Sequence, residues 1–265
     1  MMKIAIAGKG GVGKTLMASG LAWSLARSGY KTIAIDADPS PNLAISLGFD
    51  QDAADAIVPV SENERLIKLK TGTAFPGVYN LNFSVDDVVR DYAIPTPSGV
   101  HLLVMGTVKS MGSGCTCASN SVIRALLRHL VIDRDEAVVL DMEAGIEHLG
   151  RGTAEGVDMM IVVSDANKKS LTTAGTIVRM ALDAGIPRVE LAGNRITNIT
   201  EETIIKMFAQ EHNIPIVGIV PFDPAVMAGG IAGSSVMVFE NTPAIRIIEE
   251  IGHRIELVKP AKGNT

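Results

Sequence analysis

Eight residues near the amino end, GKGGVGKT from Gly8 to Thr15, have the types and spacing needed to hold a polyphosphate. They fit the pattern G-x-x-x-x-G-K-[ST], after an apolar run and before a segment of helical period. Glycines let backbone N–H groups approach phosphate oxygens closely. We expect Lys14 to neutralise β- and γ-phosphate charge, and the Thr15 hydroxyl to ligate Mg²⁺. The predicted nucleotide-binding residues here are Gly8, Lys9, Gly10, Gly11, Val12, Gly13, Lys14, Thr15 and Leu16.

A second group with possible chemistry is GSGCTCA, which holds both cysteines of the chain, Cys115 and Cys117. Cysteines one residue apart do not easily form a disulfide with each other, because the ring is too small for relaxed geometry. Intermolecular chemistry and metal binding remain open. Two thiolates are half of a four-coordinate soft-metal site, and a two-fold axis would supply the other half. Idle cysteines are the alternative, although flanking Gly and Ser favour an exposed loop.

Carboxylates follow two further apolar runs. Asp36 and Asp38 lie in IDADPSPN, and Asp141 follows VVL in VVLDMEAGIEHLGRG. Open α/β sheets bind ligands beyond the carboxyl ends of their strands. Because an unpaired buried carboxylate is costly, we expect a metal or lysine partner for Asp141. Asp38 with Pro39 also fits a turn that simply ends the strand.

The elements that must position these groups alternate β-rich apolar runs with segments of helical period. This alternation predicts an α/β fold, a mostly parallel sheet with helices on both faces. The predicted strands are Lys3–Ala7, Lys31–Ile35, Val100–Met105, Ala137–Leu140, Met159–Val163, Val189–Ala192 and Ile216–Val220. The predicted helices are Lys14–Arg27, Asn120–Val131, Leu171–Ala184, Glu201–Gln210 and Pro243–Val258.

Length and composition favour one domain, residues 1–258. The chain has 265 residues, of which 47% are hydrophobic, enough for a single sizeable core. Residues 51–98 are less regular and contain prolines at Pro76, Pro95 and Pro97, among others, so we predict an irregular insertion at the sheet edge. The polar segment 259–265 is predicted to be a flexible tail.

Charge and hydropathy indicate which partners and which cellular location to expect. The chain carries 24 basic and 29 acidic residues, a formal charge of -5, so neither nucleic acid nor a membrane surface is an expected partner. The amino end MMKIAIAG lacks the features of a signal peptide, and no apolar run approaches the ~18 residues that span a bilayer. We therefore expect a cytoplasmic protein with reduced thiols.

The loop KGGVGKT, with its additional Lys9, resembles the deviant Walker A loop of a P-loop ATPase family. That family contains cell-division and plasmid-partition ATPases, arsenite pump ATPases and the nitrogenase iron protein. The resemblance implies a nitrogenase iron protein-like P-loop NTPase fold, ATP as substrate, and a Lys9 that crosses a dimer interface to the partner's nucleotide. It also implies that Asp38 orients the attacking water and that Asp141 holds Mg²⁺ through water. The implied catalytic residues are Lys9, Lys14, Asp38 and Asp141; a solvated loop lysine is the alternative for Lys9.

Three later residues match the positions that contact adenine in the same family. Asn194 in LAGNRITN would read the base, and Pro221 and Phe222 in VPFDP would pack along it. Strand termination is the alternative at both places. One departure concerns Leu16, which stands where many relatives have a second hydroxyl residue. Only its backbone N–H is left for the α-phosphate, which bears on affinity but not on the existence of the site.

The loop, the Cys-x-Cys and the stretch DMEAGIEHLGRGTAEGVDMM together resemble the CooC-type accessory ATPases, which insert nickel during maturation of carbon monoxide dehydrogenase. The resemblance runs from Lys3 to about Pro243 and is weakest in 51–98. It implies a homodimer that binds Ni²⁺, or Zn²⁺ in competition, through Cys115 and Cys117 of both subunits. The implied client is carbon monoxide dehydrogenase or the related acetyl-CoA synthase.

Two other metal-binding ATPases of the same family have cysteine patterns that differ from the one in this sequence. The nitrogenase iron protein builds its cluster site from cysteines far apart in sequence, and iron–sulfur scaffold ATPases use Cys-x-x-Cys near the carboxyl end. A cell-division or DNA-partition switch without a metal is the alternative from another class. It needs a basic amphipathic terminal helix or a basic face, whereas 241–258 mixes basic and acidic residues.

Overall fold

The computed structural model describes residues 2–38, 42–73, 80, 86–106, 122, 125, 136–142 and 157–257. The strands are β1 Met2–Gly8, β2 Lys31–Ala37, β3 Ile94–Pro95, β4 His101–Val104, β5 Glu136–Met142, β6 Met159–Ser164, β7 Val189–Ile196 and β8 Ile216–Pro221. Within the described residues they form one sheet in the order β3-β4-β2-β5-β1-β6-β7-β8. Every neighbouring pair is parallel except β3 with β4, which confirms the predicted sheet.

The helices connect these strands across the two faces of the sheet. They are α1 Lys14–Arg27, α2 Leu43–Ser46, α3 Gln51–Asp55, α4 Glu64–Thr71, α5 Asp86–Tyr92, α6 Lys168–Asp183, α7 Ile199–Glu211, α8 Pro224–Ala232 and α9 Pro243–Leu257. Short 3₁₀ turns lie at Val60–Glu62 and Val236–Phe239. No helix in the described ranges is long and apolar enough to cross a bilayer.

Two apolar layers sandwich the sheet because side chains alternate along each strand. Ile4 and Ile6 of β1 lie in one layer with residues of α1 and α9. Ala5 and Ala7 lie in the other, with residues of α6 and α7. The central strands are thus buried on both faces, which is why they are continuously apolar in sequence.

The predicted elements are found with small shifts at their ends. The predicted helix Lys14–Arg27 has the observed bounds of α1, and each of the seven predicted strands overlaps an observed one. Most of the predicted helix 120–131 and the tail 259–265 lie outside the described residues. In 51–98, where we predicted irregular structure, the described residues include α3, α4, α5 and the edge strand β3.

The sheet brings five strand ends to one edge. β1, β2, β5, β7 and β8 all run in the same direction, so Gly8, Ala37, Met142, Ile196 and Pro221 end at this edge. Every site residue predicted from the sequence, apart from the cysteines, lies in or just beyond these strand ends. The fold therefore assembles the candidate site from segments far apart in the chain.

Candidate nucleotide site

The phosphate loop joins β1 to α1 by a sharp turn of left-handed glycines. Gly11 has φ +83° and Gly13 has φ +95°, a region that residues with a Cβ rarely adopt. A Cβ on Gly13 would also overlap the side-chain amide of Asn194. No side chain caps the amino end of α1, so its first N–H groups remain available to an anion.

Val12 and Asn194 fasten this loop to the sheet. Val12 is buried, and the Asn194 Nδ2 donates a hydrogen bond of 2.7 Å to the Val12 carbonyl oxygen. Asn194 is itself buried at the end of β7. Its amide therefore supports the phosphate loop, in addition to the base-reading role that we predicted for it.

The two lysines of the loop differ in their surroundings. Lys14 is only 6% exposed, and its charge acts on the nearby Asp141 carboxylate. Lys9 is half-buried, and its ammonium makes no hydrogen bond or ion pair with the described residues. Lys14 is thus buried close enough to Asp141 for their charges to interact, whereas the Lys9 ammonium has no partner among the described residues.

Thr15 and Asp141 form the polar centre beneath the loop. The Thr15 hydroxyl donates to Asp141 Oδ2 at 2.7 Å. The second oxygen, Oδ1, is buried and has no hydrogen-bond partner in the described part of the chain. Burial raises the pKa of Asp141 to about 6, against the lowering effects of Thr15 and Lys14. An orphaned carboxylate oxygen beside a hydroxyl and a phosphate loop is a donor set that fits Mg²⁺.

Asp36 is a site residue to which sequence reasoning assigned no role. It lies directly opposite Asp141 in the β2–β5 register and is fully buried. Burial raises its pKa to about 7, and the Asp141 charge adds to this effect. Its carboxylate accepts hydrogen bonds from the backbone N–H groups of Asp38, at 3.2 Å, and Leu43, at 3.0 Å. The D-x-D pattern of Asp36 and Asp38 indicated the end of a strand. The register that places Asp36 opposite Asp141 depends on tertiary structure and could not be predicted from that pattern.

Asp38 lies half-buried just beyond β2, near Asp36 and Asp141. Its negative charge contributes to the raised pKa of both Asp36 and Asp141, which places it close to the two carboxylates. The described acidic, Cys and His residues include no group of three or more that could hold a metal ion alone.

A cavity of about 460 Å³ extends from the loop along the sheet edge. It is lined by six of the residues predicted to bind nucleotide, namely Gly13, Thr15, Leu16, Asn194, Pro221 and Phe222. Arg195, which was not predicted as a site residue, also lines this cavity. The remaining predicted residues belong to the phosphate loop or to the acidic residues beside it. They are Gly8, Lys9, Gly10, Gly11, Val12 and Lys14 in the loop, and Asp38 and Asp141 among the acids.

The predicted metal-cargo residues, Cys115 and Cys117, lie outside the described residues, as does the segment 143–156 that follows Asp141. Their roles stay predictions. The described residues therefore fit a polyphosphate with a divalent cation, and the cavity beside them is large enough for a nucleoside.

Comparisons with known proteins agree with this geometry. Residues 3–236 match the family model for the CobQ/CobB/MinD/ParA nucleotide binding domain. The chain is 39% identical to an uncharacterized ATP-binding protein, MJ0823, of Methanocaldococcus jannaschii, over 97% of this chain and 99% of that protein. It is also 39% identical to the carbon monoxide dehydrogenase accessory protein CooC of Rhodospirillum rubrum, over 92% of each chain.

The solved structures that this chain resembles include a chain of the MinC:MinD cell division protein complex of Aquifex aeolicus. It superposes with a TM-score of 0.69 at 19% identity, and covers 100% of this chain and 99% of that one. At this identity the likeness establishes the fold, and it agrees with the predicted parallel sheet and phosphate loop.

Proposed function

This chain belongs to the CobQ/CobB/MinD/ParA family of P-loop ATPases, and on that premise we propose that it is the accessory ATPase of a nickel enzyme, carbon monoxide dehydrogenase or the related acetyl-CoA synthase. The observation that carries the proposal is the 39% identity with CooC of Rhodospirillum rubrum over 92% of both chains. The chain itself is an ATPase. The nickel ion is its cargo, delivered to the client.

The chain's own residues account for nucleotide binding. Backbone N–H groups of 10–15 surround the phosphates, and the buried Lys14 neutralises their charge. Thr15, directly, and Asp141, through water, would hold Mg²⁺, which would supply positive charge to offset that of the phosphates. Asn194 reads adenine, with Pro221 and Phe222 along the ring.

Hydrolysis in this proposal depends on two groups near the γ-phosphate. Asp38, beside the paired acids at the end of β2, orients the attacking water. Lys9, whose ammonium has no partner among the described residues, reaches the nucleotide of a second subunit and stabilises charge that develops in the transition state. Turnover is then coupled to closure of a homodimer.

The two cysteines supply the cargo site. In the proposed dimer, Cys115 and Cys117 of both subunits give four sulfurs for Ni²⁺, or for Zn²⁺ in competition. A site shared between subunits is sensitive to a small rotation at the interface, so ATP binding and hydrolysis change its hold on the metal. The coupling is reciprocal, and bound metal alters nucleotide affinity as well. The proposed site needs reduced thiols, which is consistent with a cytoplasmic location.

A cell-division or partition switch without metal is the competing function, and the fold is shared with MinD. The last described helix does not favour it. The apolar side of α9 is buried against α1 and the sheet, through Ala244, Ile245, Ile248, Ile251 and Ile255. This helix is a packing element, and its apolar face is not available to insert into a membrane.

The test is the metal content per subunit of the reduced protein loaded with limiting Ni²⁺, with mass by light scattering. We expect one nickel per two chains, lost in Cys115→Ala/Cys117→Ala and kept in the matched variant Thr116→Ala between the two thiols. Retention of nickel by the double variant, or no retention by the wild type, would contradict the cargo site. The nucleotide-driven switch, with a partner found by pull-down, would then be the better function.

A further inference from the structure

Arg195 has a left-handed backbone conformation, which is unusual for a residue other than glycine. Its φ is +59°, and only one other described non-glycine residue, Asn213 at +53°, lies in the left-handed region. Such a conformation is unfavourable for a residue with a Cβ and persists only when the surroundings hold it. Arg195 is also inside a strand, between Asn194 and Ile196.

The cause is an extra residue in β7. Gly193 pairs with Ile219 and Ile196 pairs with Pro221, so two residues of β7 face one of β8. Leu191 and Ile196 both belong to the apolar layer under α6 and α7, although regular alternation would put residues five apart on opposite faces. The bulge lets Ile196 fill the core position and turns Arg195 away from it.

The redirected side chain lies at the nucleotide cavity. Arg195 is exposed and lines the same cavity as Asn194, Pro221 and Phe222. Over the described ranges, its guanidinium makes no hydrogen bond or ion pair. The Phe222 backbone N–H donates to the Ile196 carbonyl at 2.9 Å, which ties this bulge to the loop that carries Phe222. Phe222 is 41% exposed.

We propose that Arg195 is a base-contacting residue, whose planar guanidinium stacks on the purine ring of the bound nucleotide opposite Phe222. A guanidinium and an aromatic ring that line the same cavity are the groups that stack on a planar base. The phosphates are held at the other end, where Lys14 and the glycine loop already supply charge and donors. Asn194 would read the edge of the base and Arg195 would cover its face.

This inference rests on the proposed nucleotide site, and it is tested by the affinities of purified full-length chain for Mg²⁺-ATP and Mg²⁺-ADP. The variants are Arg195→Gly, which keeps the left-handed backbone, and Arg195→Lys, which keeps the charge but not the plane. Asn213→Gly is the matched control, since it relieves the same backbone conformation far from the cavity in sequence and fold.

We expect Arg195→Gly to weaken ATP and ADP binding by the same factor, roughly tenfold, with no loss of thermal stability. Arg195→Lys should not restore affinity, and Asn213→Gly should bind as the wild type does. Unchanged affinity in Arg195→Gly overturns the proposal. So does a loss confined to ATP, or full rescue by lysine, since either result indicates a phosphate contact. A wild-type chain that binds neither nucleotide overturns the site itself, together with the proposed function.

Discussion

The two ends of the nucleotide cavity are built in opposite ways. At the phosphate end, Lys14, Asp36 and Asp141 are buried, and the loop is fastened to the sheet through Val12. At the base end, Arg195 and Phe222 are exposed side chains on a strand bulge and the loop after β8. The phosphate end is thus fixed by burial and by contacts within the chain, whereas the base end consists of exposed side chains.

This difference has a physical reason. Phosphate charge is recognised by many weak donors that must all point inward, and this requires a rigid backbone. A base is recognised mainly by flat surfaces, which tolerate exposure and small displacements. Substitutions should therefore have large effects at the first end and smaller ones at the second.

The largest effect is expected for Lys14→Ala at the phosphate end. The buried ammonium is the principal positive charge at the predicted β- and γ-phosphates, and truncation of a buried charge partner costs about 2–5 kcal/mol. ATP affinity should therefore fall by about thirtyfold to several thousandfold, measured by titration calorimetry. Retained affinity in a folded variant would show that the nucleotide binds elsewhere.

Asp38→Ala should separate binding from chemistry at the same end. If Asp38 orients the attacking water, its loss lowers kcat by about a hundredfold or more, while ATP affinity changes little. Steady-state hydrolysis and equilibrium binding, measured on one preparation, decide this. Unimpaired hydrolysis would remove Asp38 from the mechanism.

Asn194→Ala probes the residue that links the two ends. It deletes the hydrogen bond to Val12 and the predicted contact to the base, so ATP affinity should fall by about tenfold. Affinity for inorganic triphosphate should fall less, because that ligand has no base. An equal loss for both ligands would mean that Asn194 acts only by supporting the loop.

The smallest expected effect concerns stability without ligand, through Asp36. Burial and the Asp141 charge raise the pKa of Asp36 to about 7 from its ordinary 3.8. The folded chain therefore holds a proton that the unfolded chain releases, and stability falls as pH rises through that window. At pH 8, Asp36→Asn should raise the free energy of unfolding by on the order of 1 kcal/mol, because the loss of one accepted N–H hydrogen bond offsets part of the gain. At pH 4 the free energy of unfolding should change little.

Urea unfolding at pH 4, 6 and 8 without Mg²⁺ or nucleotide measures this difference. Asp52→Asn, which changes an exposed carboxylate of α3, is the control and should follow the wild type. The same pH dependence in Asp36→Asn and the wild type would contradict a raised pKa as the source of the effect.

Local residue patterns were sufficient for the elements and for most of the nucleotide site. The phosphate loop is recognisable because its glycines and Lys14 are consecutive, and α1 follows with the predicted bounds. Asn194, Pro221 and Phe222 were predicted from their match to the adenine-contacting positions of a resembling family, and the structure places all three along one cavity. The order of the strands was not predicted, because β1 lies between β5 and β6, and these pairings join distant segments.

Asp36 and Arg195 show what could not be predicted. The importance of Asp36 comes from its position opposite Asp141 across two strands that are a hundred residues apart in sequence. Arg195 becomes a cavity residue only because a bulge breaks the alternation of β7. Neither register nor bulge leaves a local signature in the sequence.

By itself, then, the sequence determined the α/β fold class and the chemistry of a phosphate loop, since both depend on residue types at short spacing. The tertiary structure decided which acids face each other, which carboxylate oxygen is left without a donor, and which side chains line the base end of the cavity. These properties depend on strand order, register and burial. Each is a relation between distant segments that only the folded chain brings together.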